Sequence, residues 1–498
     1  MNPFSEMSDQ ELWDLTSDDD DRTKADAYYH LGQRFMDRKR YSDAVAPATA
    51  AKDLYERIGD DRAEGLASYF CACILTYLDR DDEATGYFTR AIELYREHAT
   101  DEMIGDALKG RAESYESTDR DELARDDYRT ASNFYISANK KTPAGICLLS
   151  LGENLGSSGM QSEALQIFEE ALSVFQSVGD YIGSGRAHDR MAAALIDLGE
   201  MEEAITHLEE AFRIFEYIND EPRFAYSQYR LGWTLVSVGE YHRAIDLLTQ
   251  SSAAYKKLER FGDAANADVQ LAHAYSALGM TAEALELYRK AKTIYDASGR
   301  ISDSLLSEVN SASVMNSDDL DATAAIYRKV VQVAMAEDID WIAQACKVRL
   351  AETLVKYKSE ELFTEALQVV SDIPEDFWGD NRQEQARLVN VKASALFGLG
   401  RYDEAEELLK DVVSHGFASG YAKEIAEAHY ILGRIETAKG NGSLAEDYVA
   451  KAVALYLASG EIQTAKELSE ILLPDSADSS SEIFRGEPSV ISEEESSN

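Results

Sequence analysis

Between residues 223 and 233 the chain reads "RFAYSQYRLGW". Tyr226, Tyr229, Arg230 and Trp233 in that run share the spacing of one helical face. The chemistry open to such a face is recognition: flat rings that shed water over a large area, beside a guanidinium that holds carboxylates or carbonyls. Two readings stand side by side. The rings anchor a partner, as buried aromatics do at binding hot spots, or they pack between neighbouring helices.

Residue sets for catalysis are wanting. The 8 histidines form no HExxH or zinc-ligand spacing, and no two cysteines stand in CxxC. No phosphate-binding loop of the Walker type occurs. "GSGR" at Gly183–Arg186 puts two glycines at a helix start, but no strand precedes it and His188 sits where a dinucleotide fingerprint needs glycine. The acidic run Asp18–Asp21 lacks the alternating ligands and glycine of a calcium loop. Carboxylate pairs are too common in this composition to mark acid–base chemistry. "NPF" at Asn2–Phe4 equals a short docking motif that three residues cannot establish. The sequence therefore points to a non-enzymatic protein without cofactor or metal site.

The elements that must position the aromatic face repeat along the chain. From Gly232, steps of 40 lead back to Ala192, Gly152, Ala112, Ala72 and Gly32, and forward to Ala272, then Ser311, Ala351, Ala393 and Gly433, all small. Twelve residues after most of these marks stands an alanine, such as Ala164, Ala204 or Ala244. Seven further on comes Ala171, Ala211 or Ser251, and four beyond that an aromatic, such as Tyr135, Phe175 or Tyr255. Within each unit apolar residues recur at three, four and seven, the period of an amphipathic helix. Each unit predicts two helices of roughly 15–17 residues, the first ended by a left-handed glycine in joints such as "SVGEY" and "DLGEM". Small columns allow a close helix crossing, and the aromatic column fills space against the next hairpin. No hairpin buries its apolar face alone, so stability comes from stacking.

These columns resemble the tetratricopeptide repeat, over about residues 24 to 458. Units reading Ala272, Ala284, Tyr288, Ala291 and Gly152, Ala164, Phe168, Ala171 carry the likeness. The helices are longer than in the common 34-residue form and Gly-Asp replaces proline at the joint, as in the longer-repeat branch of kinesin light chains, LGN-like polarity adaptors and bacterial sensor proteins. The resemblance implies an all-α, right-handed superhelical solenoid of about eleven hairpins plus a capping helix, "EIQTAKELSEILL".

Organisation follows from the same register. Residues 1–23 form an N-terminal capping segment with a Ser8/Glu11 capping box and an acidic linker; 24–338 hold repeats one to eight, and 339–473 hold repeats nine to eleven with the cap. The pattern blurs between 310 and 381, where Pro374 cuts a helix short. We read a change of curvature there, with simple repeat decay as the alternative. Residues 474–498, rich in Ser and Glu, read as a disordered acidic tail.

In this family ligands lie against the first helices, at positions six and three before and one after the small mark. That implies groove residues Arg186 and Asp189 in unit five, Tyr226, Tyr229 and Trp233 in unit six, and Asn266 and His273 in unit seven. The same positions elsewhere are Tyr29, Tyr69, Lys109, Glu113, Glu153, Tyr430 and Arg434. Lys109, Arg186, Arg190 and Arg230 make a basic island that either meets a ligand or pairs with nearby carboxylates. Chaperone-binding members use a carboxylate clamp of basic and asparagine residues over three units. Here Lys109, Arg186 and Arg190 fill basic positions, but Glu113 and Ser150 stand where the asparagines belong.

With 92 acidic against 49 basic residues the chain has a formal net charge of −43, which repels nucleic acid and anionic lipid. No apolar segment is long enough for a membrane span, no secretory signal opens the chain, and 4 scattered cysteines suit a reducing cytoplasm. The expected partner is a protein or peptide, the protein acting as scaffold or adaptor; the oligomeric state is undetermined. The alternatives are a ligand-responsive sensor akin to peptide-pheromone receptors, an acidic decoy mimicking nucleic acid, and a groove occupied by the chain's own tail.

Overall fold

Small residues every forty positions call for helices that cross closely, and the structure pairs them so. It is a computed structural model that describes residues 4, 7–315, 319–374, 377–379, 381–414 and 421–472. The acidic tail from 474, Asn2 and Pro3 lie outside the described residues. Among the described residues there are 24 helices and no strand. Eleven antiparallel hairpins run from Asp21–Asp37 with Tyr41–Ile58 to Ala422–Lys439 with Gly442–Ala458, followed by a last helix, Ile462–Leu472. The short helix Asp9–Leu15 precedes them, opened by the expected box: Glu11 Oε2 accepts from Ser8 N at 2.6 Å, and Ser8 Oγ accepts from Glu11 N at 3.3 Å. Asp9 ties it to the first hairpin through Arg34, at 3.0 Å, and Arg38.

The chain divides into two compact units, Met1–Ala274 and Tyr275–Asn498. In the first unit a Cβ on Gly232 would stand 2.7 Å from Leu248 Cγ, and one on Gly152 would stand 2.4 Å from Phe168 Cε1. In the second, a Cβ on Gly433 would stand 2.6 Å from Val449 Cγ2. The small marks are therefore points of close approach between the two helices of one hairpin.

Two features depart from the sequence expectation. The aromatic column presses first on its own hairpin, against a second small column seven residues before each mark. Tyr95 sits on Gly65, Tyr135 on Gly105, Phe175 on Gly145 and Phe215 on Gly185, where an added Cβ would come within 2.8, 3.1, 2.6 and 2.6 Å of the ring. Phe175 also reaches Gly183 of the following hairpin, so the ring is held from both sides. The joints, too, are not a glycine monopoly. Lys39 and Asp79 hold the left-handed conformation that Gly199 and Gly239 hold inside their hairpins, and Asn139, Asn219 and Glu259 the one that Gly179 and Gly299 hold between hairpins. Tight helix reversal wins there against a backbone cost of about 1 kcal/mol per residue.

The repeat loosens in the second unit. The second helix of the ninth hairpin, Glu360–Val370, has only 11 residues and stops short of Pro374. Among the described residues no helix is long and apolar enough to cross a membrane.

Candidate functional site

Two first helices of the Met1–Ala274 unit build the site. Asp180 caps Tyr181–Leu198 by accepting from Gly183 N at 2.9 Å, and Asp220 caps Glu221–Ser237 by accepting from Arg223 N at 3.1 Å, with Pro222 in its first turn. Fixed starts set the phase of each helix. Arg186, Asp189 and Arg190 then face Tyr226 and Arg223 across a cavity of about 280 Å³ floored by Phe215.

A buried carboxylate organises the charges. Asp189 is 8% exposed, with Arg190 Nη1 at 3.5 Å and Arg230 Nε at 3.7 Å. Burial pushes its carboxyl above the usual range while Arg230 and then Arg190 pull it down. Arg190 Nε also donates to Glu153 Oε1 at 2.5 Å. The Arg230 side chain, 14% exposed, donates from Nη1 to the Tyr226 hydroxyl at 3.3 Å and stands 5.9 Å from the ring centroids of both Tyr226 and Trp233. Its Nε is buried without a hydrogen bond. Arg223 is engaged by Asp220. Arg186 lines the cavity half-buried and has no ion-pair partner among the described residues. A site with one disengaged guanidinium and one enclosed carboxylate takes a group with an acceptor and a donor side by side, which is what a peptide backbone or an acidic side chain on it presents.

The aromatic stripe splits between the two readings. Tyr226 and Tyr229 pack on a buried cluster of Ala225, Tyr255 and Ala264, whereas Trp233 stays 37% exposed. Of the sequence-derived residues, the structure gathers Arg186, Asp189, Arg190 and Tyr226 around one cavity, with Arg230 joined to it through Asp189 and Trp233 through Arg230. Lys109 is elsewhere, bonded to Glu113 at 2.6 Å. Asn266 and His273 do not line the cavity; the ring of His273 meets Gln270 Oε1 at 3.2 Å. The groove register does not mark Arg223 or Phe215 as site residues, although Phe215 belongs to the aromatic column and Arg223 lies in the first turn of the helix that carries Tyr226. Also unforeseen is an imidazole pair, His188 Nδ1 to His207 Nδ1 at 2.8 Å. Burial, then the second ring, pushes His188 down to about 4. Among the described residues no cluster of three or more His, Cys, Asp or Glu is arranged to hold a metal ion.

Models of the tetratricopeptide repeat match residues 184–257, 269–297 and 390–459. No curated protein matches the chain. Among solved structures it is similar to the apo form of the quorum sensor NprR from B. thuringiensis, with 15% identity over 65% of this chain and 91% of that one and a TM-score of 0.45. It is similar also to a signal transduction ATPase with a tetratricopeptide repeat sensor from Pyrococcus horikoshii (12% identity, 79% of this chain, 56% of that one, TM-score 0.48). A third likeness is to the kinesin-light-chain-like repeats of Podosopora anserina (20% identity, 39% of this chain, 95% of that one, TM-score 0.34).

Proposed function

The chain is a tetratricopeptide-repeat protein, and we propose from that premise that it is a non-enzymatic scaffold or adaptor holding an extended segment of another protein along its first helices. Arg186 receives an acidic side chain or a backbone carbonyl, Asp189 accepts a backbone N–H, and Trp233 covers an apolar side chain a few residues away. One observation carries this reading. In a chain of net charge −43, Arg186 faces a cavity without an ion-pair partner among the described residues. The free thiols Cys71, Cys147 and Cys346 are buried, in keeping with a reducing, cytoplasmic setting.

Selection of peptides from a random library on the intact protein tests the reading. The expected winners carry Asp or Glu near an apolar residue, and the double variant Arg186→Ala/Trp233→Ala binds them at least about tenfold more weakly at unchanged helicity. Winners that bind the variant as tightly as the parent would show the groove assignment to be wrong.

A further inference from the structure

The Tyr275–Asn498 unit has a larger cavity, of about 670 Å³, between the first helices Asp340–Val355, Arg382–Gly398 and Ala422–Lys439. Its floor and its mouth have opposite chemistry. At the floor lie Asn390, 1% exposed, and Glu424, 5% exposed. Asn390 Nδ2 is spent on the Glu424 backbone carbonyl at 2.8 Å, and Glu424 Oε1 is satisfied by Gln383 Nε2 at 2.9 Å. Asn390 Oδ1 and Glu424 Oε2 are left buried without any hydrogen bond. Both atoms only accept. An acceptor that stays unsatisfied in the folded interior costs roughly 1–3 kcal/mol, more when charged, so something that donates is wanted there.

At the mouth the balance is positive, with three cations against the exposed carboxylate of Glu427. Lys356 and Lys358 are exposed and Arg434 half-buried, and none of the three has an ion-pair partner among the described residues. Arg434 is instead held by rings, 4.3 Å from the centroid of Phe397 and 5.8 Å from that of Tyr430. That leaves its guanidinium donors turned to whatever enters. The arginine deeper in the wall is not available. Arg387 is clamped by Glu352 at 3.0 and 3.1 Å and by Glu384 at 3.2 Å.

We propose that this cavity is a second binding site, separate from the Arg186 groove, for a small amine that carries two or more carboxylates. The ammonium goes to Glu424 Oε2 and Asn390 Oδ1 at the floor, and the carboxylates to Lys356, Lys358 and Arg434 at the mouth. A plain anion leaves the floor acceptors bare, and a plain cation meets three positive groups on the way in. The volume is that of a small-molecule site; an acidic amino acid is the simplest compound with the required groups, and an acidic dipeptide offers one carboxylate to each of the three cations at the mouth.

Titration calorimetry of the full chain with glutamyl-glutamate tests this. The dipeptide should bind, and its N-acetylated form, which lacks the ammonium, should bind at least about tenfold more weakly. Lysyl-lysine should give no heat. The double variant Lys356→Ala/Lys358→Ala alters only exposed side chains and keeps the fold; it should lose about tenfold in affinity, as should Glu424→Gln. Arg186→Ala should leave binding unchanged. The proposal is overturned if millimolar glutamyl-glutamate does not bind, if acetylation makes no difference, or if Arg186→Ala rather than the lysine variant abolishes binding.

Discussion

The two cavities occupy the same positions of the repeat and invert each other's charge. Six and three residues before the small mark stand Arg186, Asp189, Tyr226 and Tyr229 in the first unit, and Arg387, Asn390, Glu427 and Tyr430 in the second. In the first a carboxylate, Asp189, is enclosed by Arg190 and Arg230. In the second a guanidinium, Arg387, is enclosed by Glu352 and Glu384. The backbone geometry that makes a groove is thus indifferent to its contents. What each groove can take is decided by the ion left at its centre and by the neighbours that remain disengaged.

The largest effect should come from the crossing that supports each cavity. Gly232→Leu would drive a side chain into Leu248, and Gly433→Leu one into Val449, with even the first carbon at 2.7 and 2.6 Å. Each should lower stability by about 3 kcal/mol in urea denaturation. If the two variants differ widely, the crossings are not equivalent and the comparison of the cavities loses its common frame.

Next in size is the removal of one ion at each centre. Arg387→Ala strands Glu352 and Glu384 beside each other, and we expect a loss of about 2 kcal/mol, discounted for their partial exposure. Arg230→Ala should cost about 1 kcal/mol, since its contact with Asp189 is longer, at 3.7 Å, and Arg190 remains. The reverse order, read from urea midpoints, would mean that Asp189 depends on Arg230 alone.

Acidity should separate the two units by sign. His188 is held neutral in the fold, at about 4, so between about 6.5 and 4 the unfolded chain binds more protons there than the folded one. Its contribution therefore falls as the pH drops through that window, and His188→Gln should flatten the slope. Glu427 behaves oppositely. Its side chain reaches solvent, yet the protein massed around the carboxyl, then Glu352, raises it to about 7, with Arg387 opposing. The folded chain binds the extra proton between about 4.5 and 7, so stability is lost as the pH rises through that range, and Glu427→Gln should remove the loss. Urea midpoints at pH 5 and pH 7.5 check both.

How much of this could be read beforehand follows from what a column in the sequence encodes. Backbone proximity leaves a trace, because Gly152 or Gly232 admits no larger residue; the hairpins, and the face bearing Arg186, Asp189 and Tyr226, were legible for that reason. The second small column, Gly65 to Gly185, is equally legible, since it too records a close approach. The same arithmetic from Ala393 and Gly433 leads to Arg387, Asn390 and Glu427. Side-chain pairing leaves no such trace. Whether Arg190 spends itself on Glu153, or Arg186 stays unengaged, depends on rotamers and on neighbours almost forty residues away. Left-handed joints at Lys39 or Glu259 were hidden for a related reason: those residues tolerate the conformation without announcing it, as glycine does.

Lys109 supplies the smallest effect and the sharpest test of that distinction. It stands at the groove position three before Ala112, as Asp189 does before Ala192, so register alone would rank it with the site. Its ammonium is tied to Glu113 one turn on, at 2.6 Å, with Glu113 exposed. Such an i,i+4 pair stabilises a helix by no more than about 0.5 kcal/mol, less with the lysine on the N-terminal side. Lys109→Ala should accordingly shift the urea midpoint within that margin and leave peptide binding at its parent value, where Arg186→Ala reduces it. Equal losses from the two would mean that position along the groove, and not disengagement of the ion, selects what the protein binds.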